Sequence, residues 1–299
     1  MTITELPGAT VPPAAGPIIT EPGIYDITND RYHADPVPGG SLSSTGARKL
    51  LAPSCPALFR HEQLHGRPPK RVFDFGTAAH GLVLGSGPEL VKIEADNYRT
   101  KAAQEAATEA RFRGAVPLLP AEYRQVQEMA AALRQHPVAA ALFNPDHGQP
   151  EKSLFWADRA TGVWRRARLD WLPDQRSGRL IIPDYKTTVS AEPEAIARSV
   201  LNYGYHQQDP WYVDAVRALG LGDESTAFVF VFQEKSAPYL VTVVQLDQAT
   251  RRIGRQRNRK AIALYRDCLA ADRWPGYSDQ VEIVSLPAWA QDRQMQEIQ

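Results

Sequence analysis

The chain has 299 residues, 43% of them hydrophobic and 23% charged, and its 34 basic side chains are balanced by 34 acidic ones. This is the composition of an ordinary folded protein, long enough for one large core. Zero net charge leaves no bulk attraction for a polyanion, so any nucleic acid must be held by a local patch or through metal ions.

Residues 1–22, "MTITELPGATVPPAAGPIITEP", are rich in Pro, Gly and Ala and read as a loose arm. They lack the basic-then-apolar pattern of a secretory signal. No run approaches the roughly 18 apolar residues of a membrane span, so no membrane is expected and a cytoplasmic location is. Residues 23–299 read as a single domain whose first part, 41–143, is helical. Ser43, Ser44 or Thr45 can cap "LSSTGARKLLAPSCPALFRHEQL", which Pro53 and Pro56 break into two short helices. An apolar helix in "RVFDFGTAAHGLVLG" is expected to start near Gly76, and helical spacing fills 98–143.

The core, 150–272, opens with three strand-like runs, "KSLFWAD", "GVWRRARLDWL" and "RLIIPDYKTT", joined by short polar turns as in a meander. A helical stretch follows, "SAEPEAIARSVLNYGYHQQDPWYVDAVRALGLG", in which Pro210 predicts a kink or break. "TAFVFVFQEK" and "PYLVTVVQLD" predict a hairpin, and "QATRRIGRQRNRKAIALYRDCLAADRW" a final basic, amphipathic helix. The order is that of an α/β fold with a helical N-terminal part.

Within the third strand, Asp184 and Lys186 share a face and Tyr185 takes the other. Alone, the pair reads equally as an ion pair at a strand end. Asp170 closes the second strand after Arg165, Arg166 and Arg168, and Glu151 opens the first. In a flat antiparallel meander Glu151 lies beside Asp170, whereas Asp184 is remote; offset or strongly twisted strands are needed to bring it in. Converged, these groups suit phosphodiester hydrolysis. Carboxylate oxygens take hard cations, such cations activate water and shield phosphate, and a lysine steadies the water or the developing charge. His80 fits a hydrogen-bonded core histidine as well as a ligand. Gln208 and Tyr212, four apart on one helix face, fit an amphipathic helix as well as a site.

In order, "GTAAH", "PEKSLFW", "RARLD", "PDYKTT" and "YHQQDPWY" resemble the PD-(D/E)XK nuclease superfamily in its RecB-like branch. More closely, residues from about 21 to 290 resemble the RecE-type exodeoxyribonucleases, also called exonuclease VIII. The resemblance implies a restriction-endonuclease-like core, with a twisted mixed sheet flanked by helices. It implies that His80, Asp170, Asp184 and the Tyr185 carbonyl hold Mg²⁺, with Mn²⁺ as substitute, and that Lys186 is the catalytic lysine. Glu151 matches an acidic position near the site, as ligand or water-holder, and Gln208 and Tyr212 match residues that position DNA and the active-site groups. Tyr185 departs from the smaller apolar residues common in its slot.

The implied activity is that of a hydrolase: ATP-independent 5′→3′ digestion of linear double-stranded DNA, leaving 3′ single strands for DNA recombination of phage or prophage type. A single-strand annealing or recombinase partner and a ring-shaped homo-oligomer go with it. Cys55 and Cys268 are too few for a four-cysteine iron–sulfur cluster, and there is no Walker-type loop, so neither that cofactor nor ATP is expected. For phosphate contacts, Arg166 and Arg168 share Asp170's face while Arg165 faces away. The run "RRIGRQRNRK", with Arg251, Arg252 and Arg255, reads equally as a DNA contact or a solvated helix face. A single-strand or structure-specific endonuclease of the same fold, and an inactive DNA-binding relative, remain as alternatives.

Overall fold

The computed structural model describes residues 16–66, 72–174 and 178–298, so residues 1–15 of the expected arm lie outside it. In chain order the elements are β1 (Gly23–Tyr25), α1 (Asn29–His33), β2 (Leu42–Ser43), α2 (Ser44–Lys49), α3 (Pro56–His65), α4 (Val72–Leu84), β3 (Leu90–Lys92) and α5 (Lys101–Phe112). Then come β4 (Val116–Leu118), α6 (Pro120–Gln135), α7 (Pro137–Leu142), β5 (Gly148–Ala157), β6 (Trp164–Pro173) and β7 (Ile181–Thr188). The chain continues through α8 (Pro193–Tyr203), α9 (Tyr205–Ala218), β8 (Ala227–Glu234), β9 (Val241–Val244), α10 (Gln248–Ala271) and α11 (Ala288–Glu297). No helix among the described residues is long and apolar enough to cross a membrane.

The strands form an α/β fold with mixed sheets. One sheet has the order β1-β5-β6-β2, antiparallel except for the parallel pair β2/β6. A second has the order β7-β8-β9, with β7 parallel to β8 and β9 antiparallel to it. β3 and β4 form a small parallel pair. The hairpin of the first two core strands is as the sequence predicts. The third strand does not complete a meander; it pairs in parallel with β8 across α8 and α9, the crossover that parallel pairing requires.

β7 is apolar on both faces because it is covered on both. On one side Ile182 joins Trp211, Phe228, Phe230, Phe232 and Tyr265 in the larger core, under α2, α9 and α10. On the other, Tyr185 packs with Ala78 and Ala79 of α4, Met129 and Leu133 of α6, and Val231.

Two expectations about the helices need correcting. α4 begins at Val72 rather than near Gly76, and runs through that glycine. An interior glycine costs only about 0.5–1 kcal/mol, which burial of Ala78, Ala79 and Leu84 offsets. β1 to β4 and α11 have too few residues or too little periodicity to stand out in sequence. The break in the helical stretch falls at Gly204, in a left-handed conformation (φ 66°), and α9 passes through Pro210 unbroken. Pro210 has no N–H to give the His206 carbonyl four residues back. α10 uses that opening: a Cβ on Gly254 would stand 1.6 Å from the His206 oxygen, so only glycine fits. Arg257 Nε donates to Gln207 Oε1 (3.0 Å) and Asn258 Nδ2 to the Gln207 carbonyl (2.8 Å), tying α10 to the first turn of α9.

Of the expected loose arm, the described residues 16–22 are exposed except for Ile19. Ile19 is fully buried with Ile27, Tyr32, Val37 and Phe155.

Candidate active site

Alternation along β6 places Arg165, Ala167, Leu169 and Trp171 in the interior and Arg166, Arg168 and Asp170 on the opposite face. In β5, Pro150 opposes Trp171 and Lys152 opposes Leu169, which sets Glu151 across from Asp170 as the sequence predicts. Glu151 takes a left-handed backbone conformation inside its strand (φ 57°), a strained state for a non-glycine residue. Its carboxylate is gripped by Arg168, whose Nε donates to Oε2 at 2.5 Å and whose other donors reach the Ile27 carbonyl and Ser153 Oγ.

Asp184 is brought in by the splay of β7 away from β6. The Tyr185 N–H has no ladder partner on β6 and donates instead to Asp170 Oδ2 (2.7 Å), while the Tyr185 carbonyl lies 2.9 Å from His80 Nε2. His80 Nε2 is also 3.5 Å from Asp170 Oδ2. One donor atom each from His80, Glu151 and Asp170 fall within 4.8 Å of one another. Asp184 stands beside this cluster, not in it. Its Oδ1 accepts from Gln208 Nε2 (2.7 Å), and its Oδ2 faces the Lys186 ammonium at 2.5 Å without receiving an aligned hydrogen bond. Asp184 and Lys186 lie on the α9 side of β7 and Tyr185 on the α4 side, as alternation requires.

Burial raises Asp170 to about 7, opposed by the Lys186 charge. Burial, reinforced by the Asp170 carboxylate, likewise raises Asp184 to about 7. Burial alone would depress the Lys186 ammonium, but the Asp184 and Asp170 charges outweigh it and raise it. His80 is lowered by burial and by Lys186, so its imidazole is neutral at neutral pH. Two buried carboxylates that hold protons to near neutrality, beside a neutral imidazole and with Lys186 as their cation, make a donor set with room for further positive charge. The set fits a divalent metal.

Of the positioning residues, Gln208 holds Asp184 and Tyr212 lies against Gln208. The arginines expected at phosphate differ in their partners. Arg166 pairs with the Asp35 carboxylate (2.5 Å) and donates to the Ser41 carbonyl and hydroxyl. Arg168 is committed to Glu151. Arg251 pairs with the buried Asp209 (3.0 Å), whereas Arg252 and Arg255 are exposed. Sequence reading misses Tyr205, whose ring centroid lies 5.2 Å from Lys186 Nζ. Its only signal is its place at the start of the helix that bears Gln208.

A mixed sheet whose splayed strand carries Asp-x-Lys, with carboxylates and a histidine from neighbouring elements converging on it, is a PD-(D/E)XK-type core. The chain belongs to the family described as "PDDEXK-like domain of unknown function (DUF3799)", whose model matches residues 43–287. No curated protein matches by sequence. Among solved structures the chain is similar to a "Putative exonuclease" from Eubacterium rectale, with a TM-score of 0.57 at 12% identity, covering 90% of this chain and 98% of that one.

Proposed function

We propose that the protein is a metal-dependent, ATP-independent exodeoxyribonuclease of RecE type that digests linear double-stranded DNA from 5′ ends and leaves 3′ single strands. The observation that carries the reading is the approach of His80, Glu151 and Asp170 to within 4.8 Å beside the Asp184–Lys186 pair, on a PDDEXK-like fold. His80, Glu151, Asp170 and the Tyr185 carbonyl would hold the ion, with Asp184 joining from the side; one imidazole among oxygens suits Mn²⁺ as well as Mg²⁺. The bound cation supplies an acidified water and neutralises phosphate charge.

The protein's own part is orientation. Arg168 fixes Glu151, and the Tyr185 N–H fixes Asp170. Gln208 fixes one oxygen of Asp184 and leaves the other to Lys186. With its affinity for the proton raised, Lys186 stays charged; it acts as a donor to the water or the phosphate, not as a base. Exposed Arg252 and Arg255 on α10 serve the DNA backbone. Duplex ends as substrate, the annealing partner and the ring assembly rest on the resemblance to RecE-type enzymes.

The test is digestion of end-labelled linear duplex with Mg²⁺ or Mn²⁺ and no ATP, beside a closed circular control and Lys186→Ala. Release of nucleotides from 5′ ends of the linear DNA alone, lost in the variant, is expected. Cutting of the circle would make the protein an endonuclease, and metal-dependent activity on neither DNA would refute the nuclease reading.

A further inference from the structure

The turn between α8 and α9 carries two tyrosines on either side of one glycine. Gly204 sits in the left-handed region that closes α8, and this reversal lets Tyr203 and Tyr205 lie face to face, ring centroids 5.6 Å apart and planes 30° apart. The inner ring, Tyr205, is wedged against Phe230 and Phe232 and stands over the Lys186 ammonium. Tyr203, the outer ring, is 60% exposed. An aromatic stack therefore leads from the catalytic lysine to solvent, rooted at its inner end and open at its outer one.

A cation lies alongside. A Cβ on Gly204 would stand 2.5 Å from the Arg48 Cδ, so the Arg48 side chain of α2 lies directly on the turn, and its charge acts on Tyr205 and His206. Aromatic faces stepping away from a site beside a basic group are how proteins hold unpaired nucleotides: the ring stacks on any base, and the cation sits by the backbone.

The geometry points to Tyr203 as a stacking platform for an unpaired nucleobase next to the cleaved phosphate, with Tyr205 as its support and Arg48 beside the backbone. The site would thus take a DNA end whose terminal bases have come apart, and Tyr203 is a specificity residue that selects opened ends over fully paired ones. This rests on the nuclease reading above and adds a base-recognition subsite to it.

The experiment compares the full-length protein's affinity, by fluorescence anisotropy in EDTA, for two labelled forked duplexes. They are identical except that the unpaired arms of one carry bases and those of the other are abasic, so phosphate contacts are the same. Stacking of one base on an aromatic ring should make wild type prefer the base-bearing fork by about five- to 150-fold. Tyr203→Ala should erase the preference, and Tyr203→Trp should restore it. Equal binding of the two forks by wild type, or a Tyr203→Ala loss that is the same on both, overturns the subsite and leaves the nuclease reading standing. Wild type that binds neither fork and cleaves no DNA overturns both.

Discussion

The arginines of β6 and the basic run at the start of α10 look alike as sequence, and the fold puts them to different uses. On β6 each guanidinium is turned inward to a carboxylate. Arg165 lies between the rings of Trp211 and Trp156, 4.0 and 4.7 Å away, and pairs with Asp214 and Asp158. Arg166 clamps Asp35 and Ser41, and Arg168 holds Glu151. On α10 only Arg251 and Arg257 turn inward, towards Asp209 and Gln207, while Arg252, Arg255, Arg259 and Lys260 face solvent. Strand positions between two layers leave a charge no choice but a partner; an exposed helix face leaves it available to phosphate. Arginines nearest the candidate site therefore build it, and those farther along the chain stay exposed, where the proposed function would use them on DNA.

The contrast between the two groups is tested most severely at Arg165. Arg165→Ala removes a buried guanidinium from between two tryptophan faces and from its partners Asp158 and Asp214, and should cost about 2–3 kcal/mol in urea unfolding. A loss below the noise would mean that the inward arginines are not structural. Arg168→Ala should leave Glu151 without its clamp and weaken Mn²⁺ binding about 10–100-fold, read by calorimetry on the metal-free protein; unchanged affinity would remove Glu151 from the metal site. Replacing Arg252, Arg255 and Arg259 together by Ala should leave the melting temperature unchanged. It should also flatten the slope of log affinity against log salt by roughly 2–3, about 0.9 for each phosphate charge no longer neutralised. A shifted melting temperature with an unchanged slope would reverse the assignment of the two regions.

The smallest effect concerns Asp209, the inward partner of α10. Burial raises this carboxyl to about 6 against the pull of Arg251, and its Oδ2 has no hydrogen-bond partner. Because the folded group holds its proton to a higher pH than the unfolded one, its contribution is greatest below about pH 4 and is lost as pH rises towards 6. Wild type should therefore lose stability relative to Asp209→Asn across that window, measured as urea midpoints at both ends. A parallel course of the two proteins would show that Asp209 ionises as freely folded as unfolded.

Much of this is legible in the sequence because period and chemistry coincide. Two-residue alternation puts Asp184 and Lys186 on one side of β7 and Tyr185 on the other, and separates Arg165 from Arg166 and Arg168. Hairpin register sets Glu151 across from Asp170. The approach of Asp184 is not legible, because it depends on β7 leaving β6 for β8, a long-range choice made by buried faces and not by any local pattern. Nor are the destinations of the arginines, since Asp35 and Ser41 lie more than a hundred residues away in sequence. The Tyr203–Tyr205 stack stays hidden because Pro210, the stronger helix breaker, draws the expected break away from Gly204.

The meeting of Gly254 with the His206 carbonyl has a consequence for the order in which the protein can be made. Gln208, which holds Asp184, rides on α9, and one of the supports of α9 is a helix that ends at Ala271. A chain emerging from the ribosome thus carries every candidate site side chain well before it carries α10. The proposed active site should therefore reach its final geometry only after α10 has been synthesised.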